Sequence, residues 1–224
     1  MKLPSFSQSA TGLLLVSLLV LASSCKNSSA VDPTKGFSAK IQSIISQADI
    51  DALRAKGMVI NEGTQPPNIE GIFASSPHRL VAPYGPQDTY AVGYDFADLV
   101  MRFSGQSSTD QTALVEIKNA GSTGSGQGGF LAGNGQKFTF FAEVNLVSGT
   151  ATAKQVRIFT GEITADGIKD FYTTLLVKSK VDPNDELIPV GSARILKDGD
   201  GMASKRSSFR RSAEALAAAE EGRR

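Results

Sequence analysis

The sequence is short of the residues that build most reactive centres. A single cysteine in 224 residues excludes an internal disulfide, a cysteine-built zinc site and an iron–sulfur cluster. A single histidine, His78, leaves any Ser-His-Asp arrangement with one candidate. No Gly-x-Ser-x-Gly elbow accompanies it, so His78 reads as a hydrophilic loop residue after Pro77. Tryptophan is absent and aromatic residues make up 7%, a poor basis for a carbohydrate-stacking platform. Neither sign of charge prevails: 23 Lys+Arg stand against 22 Asp+Glu, a formal +1 at pH 7. So weak a field does not recruit polyphosphate and argues against nucleic acid as a partner. The apolar run Gly12–Leu21 has only ten residues, too few to cross a bilayer as a helix. What remains is an ordinary globular composition, 41% hydrophobic and 20% charged, of a length that suits one sandwich or barrel domain.

The first two dozen residues read as an address. Lys2 gives a short cationic start, Gly12–Leu21 has the proportions of a secretory h-region, and the small residues Ala22-Ser23-Ser24 lead directly to Cys25. Cleavage after Ser28-Ser29-Ala30, discarding Cys25, is the ordinary secretory alternative. Leu21 to Cys25 resembles the lipobox of bacterial lipoproteins, although that family prefers leucine where Ala22 stands. The resemblance implies a leader over residues 1–24, diacylation of the Cys25 sulfur, and a new N-terminus at Cys25. Two or three acyl chains, at about 0.8 kcal/mol per buried methylene, make a durable anchor. Loss of Lys2 with the leader brings the basic residues level with the 22 acidic ones, so the lipid and not charge would hold the mature protein to the membrane. Residues 25–44 then read as a tether, small and polar at its start. Asp is absent just after Cys25, and with it the inner-membrane retention signal known in some lipoproteins; the resemblance favours the outer membrane and leaves its face open.

Residues 45–201 read as the folded domain. Ser46-Gln-Ala-Asp49 has capping-box spacing, Ile50 and Leu53 share a helical face, and Gly57 stands where a helix stops. Asn61–Asn68, with two prolines, breaks regular structure. From Ile69 the pattern is strand-like, and Phe138, Phe140, Ala142, Val144 and Leu146 alternate with Thr139, Glu143 and Asn145, with Phe141 as the exception. Gly149-Thr150 and Asp166-Gly167 suit hairpin turns. No amphipathic helix interrupts the series, which excludes repeated βαβ units. The expected fold is therefore mainly β: a single antiparallel barrel, or a sandwich, of 8–9 strands behind a short helix. Residues 202–224 read as a charged, Ala-rich tail that is either solvated or helical, with Phe209, Ala213 and Leu216 as a narrow apolar stripe.

Motifs that could carry chemistry are few. Gly124-x-Gly126-x-x-Gly129 matches a dinucleotide fingerprint in letters only, because Phe130–Phe138 continues as strand, turn and strand where a helix is required. Ala120–Gly128 reads instead as a long hairpin loop. Asp182-Pro-Asn184-Asp-Glu186 carries Leu187 where a calcium loop needs glycine, and Asp198-Gly-Asp200-Gly201 has no following glutamate. Both read as turns, so no metal or cofactor is expected and no residue is assigned a catalytic role. Glu143 and Glu162 could serve glycoside hydrolysis only if strands brought them together.

Two resemblances bear on the body of the chain. Gly71-Ile72-Phe73 on the first strand is similar to the Gly-x-Trp of lipocalins and related calycin barrels, with Phe73 replacing tryptophan and without the middle lipocalin motif. In that family an arginine of the last strand covers the aromatic residue; Arg194 matches it and implies a cation–π closure of the barrel by Gly71, Phe73 and Arg194. Ile45–Gly201 also resembles uncharacterised lipoproteins of Bacteroidetes, through Gly57-Met58, Ile60–Thr64, Pro66–Gly71 and Leu187–Gly191. The resulting expectation is a lipid-anchored envelope protein of non-enzymatic, binding type that takes a small hydrophobic molecule or an envelope component. The alternatives are a protein-interaction scaffold with a self-filled barrel and, less favoured, a carboxylate-dependent hydrolase.

Overall fold

The computed structural model describes residues 37–209. Helix α1 spans Ala39–Ile44 and α2 spans Gln47–Ala55. The strands follow in chain order: β1 Thr64–Gln65, β2 Gly71–Ser75, β3 His78–Ala82, β4 Asp95–Phe96, β5 Leu99–Ser107, β6 Thr112–Asn119, β7 Ser122–Asn134, β8 Lys137–Ser148, β9 Ala151–Ile163, β10 Gly167–Val181, β11 Ala193–Asp198 and β12 Met202–Arg206. The fold is mainly β, in one sheet, as the alternation predicts.

Apart from β1, which lies parallel to β7, every pairing is antiparallel, and the ladder returns to its start. From β5 to β10 each strand pairs with the next; β10 then pairs with β11 along one half and with β12 along the other. On the far side β12 pairs with β2 and β11 with β3, while β2 pairs with β5 and β3 with β4. Thus β2–β3, β4–β5 and β11–β12 act as three long strands, each interrupted once, and with β6 to β10 they form an eight-membered, barrel-like circuit. The interruptions at residues 76–77, 97–98 and 199–201 fall at one level, beside a register shift in β10 between Lys169 and Tyr172.

Buried Asp198 pins this seam: its carboxylate accepts from the amides of Ser76 at 3.0 Å, Asp200 at 3.1 Å and Met202 at 3.0 Å. The carboxylate thus supplies acceptors where the ladder breaks, and the Met202 amide is shared with Asp200 Oδ1 at 3.0 Å. Residues 202–206, read from sequence as the start of the tail, supply the strand that closes the circuit. Only Ala203 of that strand is buried, so no apolar alternation marks it.

Both faces of the sheet carry a core. The inner cluster contains Phe138, Phe140, Ala142, Val144 and Leu146 of β8. The outer cluster contains Phe141, Val156 and Ile158 beneath Phe37, Ile41, Ile50 and Leu53 of the helical segment. Phe141 breaks the alternation because its face is roofed by helices: its ring meets that of Phe37 edge-on at 5.1 Å. The roof is set locally. Ser46 Oγ accepts from the Asp49 amide at 3.1 Å and caps α2, and the Met58 amide closes its end on the Leu53 carbonyl at 3.0 Å past Gly57, whose φ is +94°. Helix α1, capped by Ser38, lies within the segment read as tether. Its Ile41, 2% exposed, is buried in the outer core.

Ser122–Asn134 is a strand and not the loop expected over Ala120–Gly128. Its glycines make room for their neighbours: a Cβ on Gly129 would stand 2.2 Å from Phe140 Cζ, and one on Gly124 would stand 2.8 Å from a Val144 methyl. Removing side chains from β7 lets β8 fill the interior, at the expense of the apolar pattern by which a strand is recognised.

Candidate functional site

The interior has two unlike halves. At the end where β2 starts and β5 finishes, six rings fill the space: Phe73, Phe103, Phe138, Phe140, Phe159 and Phe171. Phe103 lies edge-on to Phe140 at 5.6 Å and to Phe159 at 5.4 Å. Gly71 belongs to this end. At φ +150°, it leaves room for the Phe73 ring, whose Cζ would lie 3.0 Å from an added Cβ. The Gly-x-Phe spacing therefore has a local packing reason.

At the other end the barrel holds a cavity of ≈ 160 Å³ that is open to solvent. Leu99, Ile117, Leu146, Leu175, Val177 and Leu196 supply apolar wall; His78, Asn119, Ser122, Gln155 and Arg157 supply polar groups, and Glu186 stands in the loop at the rim. The register explains the mixture. Ala153 and Phe159 of β9 face inward while Val156 and Ile158 face the helices, so the alternation carries Gln155 and Arg157 inward too. Arg157 pairs in register with Ala142 on β8 and Leu175 on β10, and the small Ala142 leaves space in front of it.

Arg157 is 7% exposed. Its Nε donates to Gln155 Oε1 at 2.9 Å, and it makes no ion pair and no other hydrogen bond among the described residues. Burial lowers its pKa to about 10, so it is a cation at neutral pH. His78 is 3% exposed; burial, with the Arg157 charge adding to it, lowers its pKa to about 3, so the ring is neutral. Its Nδ1 meets Ser75 Oγ at 3.0 Å, and the Ser75 hydroxyl also bonds the Asp198 carboxylate. The hydroxyl therefore lies between histidine and carboxylate, whereas nucleophilic catalysis requires the histidine in the middle. Ser75 is fully buried and lies outside the cavity wall. The trio joins strands at the seam, and His78 is a core residue and not the loop residue read from sequence.

Arg194 does not cover Phe73. The last strand is broken, so β12 lies beside β2 and places Lys205 opposite Phe73, while β11 carries Arg194 in the other half of the barrel. There Arg194 grips Asp88 in a fork, Nε to Oδ2 at 2.8 Å and Nη2 to Oδ1 at 2.6 Å. Its guanidinium lies 5.5, 5.1 and 5.6 Å from the ring centres of Tyr84, Tyr90 and Phe96. Burial opposes ionisation of Asp88, but the Arg194 bonds and the Tyr84 and Tyr90 amides outweigh it and hold the carboxyl below its ordinary value. The closure is thus at the mouth, where Arg194 fastens the loop between β3 and β4 over the barrel. Gly71 and Phe73 are together at one end and Arg194 stands at the other.

The remaining sequence candidates separate. Glu143 pairs with Val156 and Glu162 with Lys137, six positions apart along β8, or roughly 20 Å at the strand rise; the two carboxylates do not converge. The Asp182 carboxylate accepts from the Glu186 and Leu187 amides and from Lys180 Nζ, which makes the segment an ion-paired turn. Among the described residues no group of three or more His, Cys, Asp or Glu side chains is placed to hold a metal ion. Phe209 lies against the outer wall, with Lys118 Nζ 4.4 Å and the Arg102 guanidinium 4.9 Å from its ring centre. Cys25, Ala213 and Leu216 lie outside the described residues. Comparison of the chain with protein-family models, with curated proteins and with solved structures gave no match.

Proposed function

We propose that this chain is a lipid-anchored envelope protein of non-enzymatic, binding type that takes a small, largely hydrophobic molecule into the mouth end of its barrel. The observation that carries the reading is the cavity of ≈ 160 Å³ beside a fully packed half. Engineered apolar cavities of about 150 Å³ hold a benzene ring, and close-packed protein interiors contain few voids larger than a water molecule. Anchoring rests on the run of small residues before Cys25, with the outer membrane as the favoured site. Native mass spectrometry of the purified full-length protein tests the binding reading: a stoichiometric co-purified small molecule is expected, and its absence at every preparation together with failure to take up added ring-sized ligands would end it. Palmitate labelling tests the anchor, with label expected on the wild type and lost in Cys25→Ser; equal labelling of both would remove it.

The scaffold reading has one observation in its favour. Val92, Tyr94, Val147, Val181 and Val190 are exposed, and all lie at strand ends or in loops of the mouth end, where an apolar surface suits a partner. A protein cross-linked at Val181 with no small molecule in the barrel would favour that reading over ligand binding.

A further inference from the structure

Resting on the binding reading above, we propose that the ligand is a monocarboxylate of about benzoate size, its carboxylate held by the terminal Nη1 and Nη2 amines of Arg157 and its ring or short chain by the apolar wall.

The inference starts from an imbalance. A guanidinium taken out of water is costly unless a counter-charge and hydrogen bonds replace its hydration. Proteins therefore bury arginine in pairs, as this one does with Arg194 and Asp88. Arg157 is buried to a similar degree and has no such partner among the described residues. Its one hydrogen bond among the described residues, from Nε to Gln155, fixes the plane of the guanidinium and leaves its Nη1/Nη2 edge free. That edge matches the two oxygens of a carboxylate in a planar, bidentate fork.

The position of Arg157 selects the rest of the ligand. On β9 it stands one inward step from Phe159, which belongs to the ring-packed half, so the cation lies deep and the anion enters head first. Behind the head the wall is apolar, with Leu99, Ile117, Leu146 and Val177 among its side chains. The volume limits the body to about one ring. Arg194, also in the wall, is neutralised by Asp88, and neutral His78 adds no further positive charge, which fits a monoanion better than a dianion. Glu186, the acidic residue of the wall, is exposed at the rim and accepts from Asn184 Nδ2 at 3.1 Å. A carboxylate there does not neutralise Arg157 and disfavours ligands whose charge is at the trailing end.

A charged and a neutral compound of similar size test this on the purified full-length protein: benzoate against benzyl alcohol, titrated calorimetrically at pH 7. Benzoate is expected to bind at least about tenfold more tightly, as a charge-assisted fork requires. In Arg157→Met the preference should vanish, with benzyl alcohol affinity within a few-fold of the wild type; Arg157→Lys, which keeps the cation but not the fork, should retain a reduced preference. Equal or tighter binding of benzyl alcohol by the wild type overturns the carboxylate inference and leaves the binding reading standing. Binding of neither compound overturns the carboxylate inference, and the binding reading falls with it only where native mass spectrometry also finds no co-purified molecule. Full benzoate preference in Arg157→Met moves the anion site away from Arg157 and overturns the assignment.

Discussion

The closed end of the barrel and its mouth are lined by the same strands, yet they are filled on opposite plans. At the closed end inward positions carry Phe103, Phe138, Phe140 and Phe159, all within 1% of full burial, and β7 contributes glycine where those rings need space. At the mouth the corresponding positions carry Gln155, Arg157, Asn119 and Ser122, and a cavity remains. The closed end is held by area and close packing; the mouth is held by charge and hydrogen bonds, through Asp198 at the seam and the Arg194–Asp88 fork above it. A fold that concentrates its apolar burial at one end can keep polar groups and space at the other, because the first supplies the stability that the second costs.

Truncation at the closed end gives the sharpest test of that division. Phe140→Ala should destabilise by about 3–5 kcal/mol, whereas Leu146→Ala, which already borders the cavity, should cost nearer the low end for leucine, about 2 kcal/mol. Urea unfolding midpoints would report both, and equal losses would erase the distinction. Adding a methyl is the converse. Gly129→Ala forces a Cβ to 2.2 Å from the Phe140 ring and should cost about 1–3 kcal/mol. Gly121→Ala, in the β6–β7 turn at the mouth with nothing within 4 Å of the new carbon, should change stability by less than about 0.5 kcal/mol.

Acid should weaken the seam between the halves. His78 titrates near 6.5 in the unfolded chain and at about 3 in the fold. Between those values the unfolded chain binds a proton that the native state does not, so stability rises with pH across the window and falls as pH drops through it. The loss should be about 1 kcal/mol per pH unit below 6.5. The measurement is the difference between wild type and His78→Gln in thermal unfolding from pH 7 to pH 4.5. A difference that stays constant with pH would place His78 in contact with solvent.

Much of this architecture is legible in the sequence where one face alone is buried. Along β8 the inward set reads correctly from Ala142 to Leu146, where the outward Glu143 and Asn145 are exposed, and Ser46, Asp49 and Gly57 announce α2 by side-chain chemistry that acts within a few residues. Legibility fails where a residue's role depends on a distant partner. The glycines of β7 suggest a loop until Phe140 and Val144 are placed opposite them. Met202–Arg206 has too little apolar character to read as a strand, and closes the circuit through backbone pairing with β2 and β10. Arg194 is recognised as a closing arginine, but the break at residues 199–201 moves it from Phe73 to Asp88. Arg157 does not stand out in the sequence, because β9 is buried on both faces and Val156-Arg157-Ile158 shows no period. The one signal the sequence offers is the charge itself, set between Val156 and Ile158-Phe159.

The cost of that charge is measurable apart from any ligand. An arginine that pairs with a carboxylate in the free protein is needed for stability, and replacing it strands its partner; an arginine that waits for an external anion is a net expense until the anion arrives. Arg157→Met fills similar volume without the desolvation penalty and should therefore raise the stability of ligand-free protein by about 1 kcal/mol. The equivalent change Arg194→Met should lower it, because Asp88, with its side chain 1% exposed, would lose its cation. Opposite signs at two arginines in the same cavity wall would separate a binding group from a structural one. If both substitutions destabilise alike, Arg157 belongs to the framework of the barrel, and the mouth end is held together by all of its polar groups.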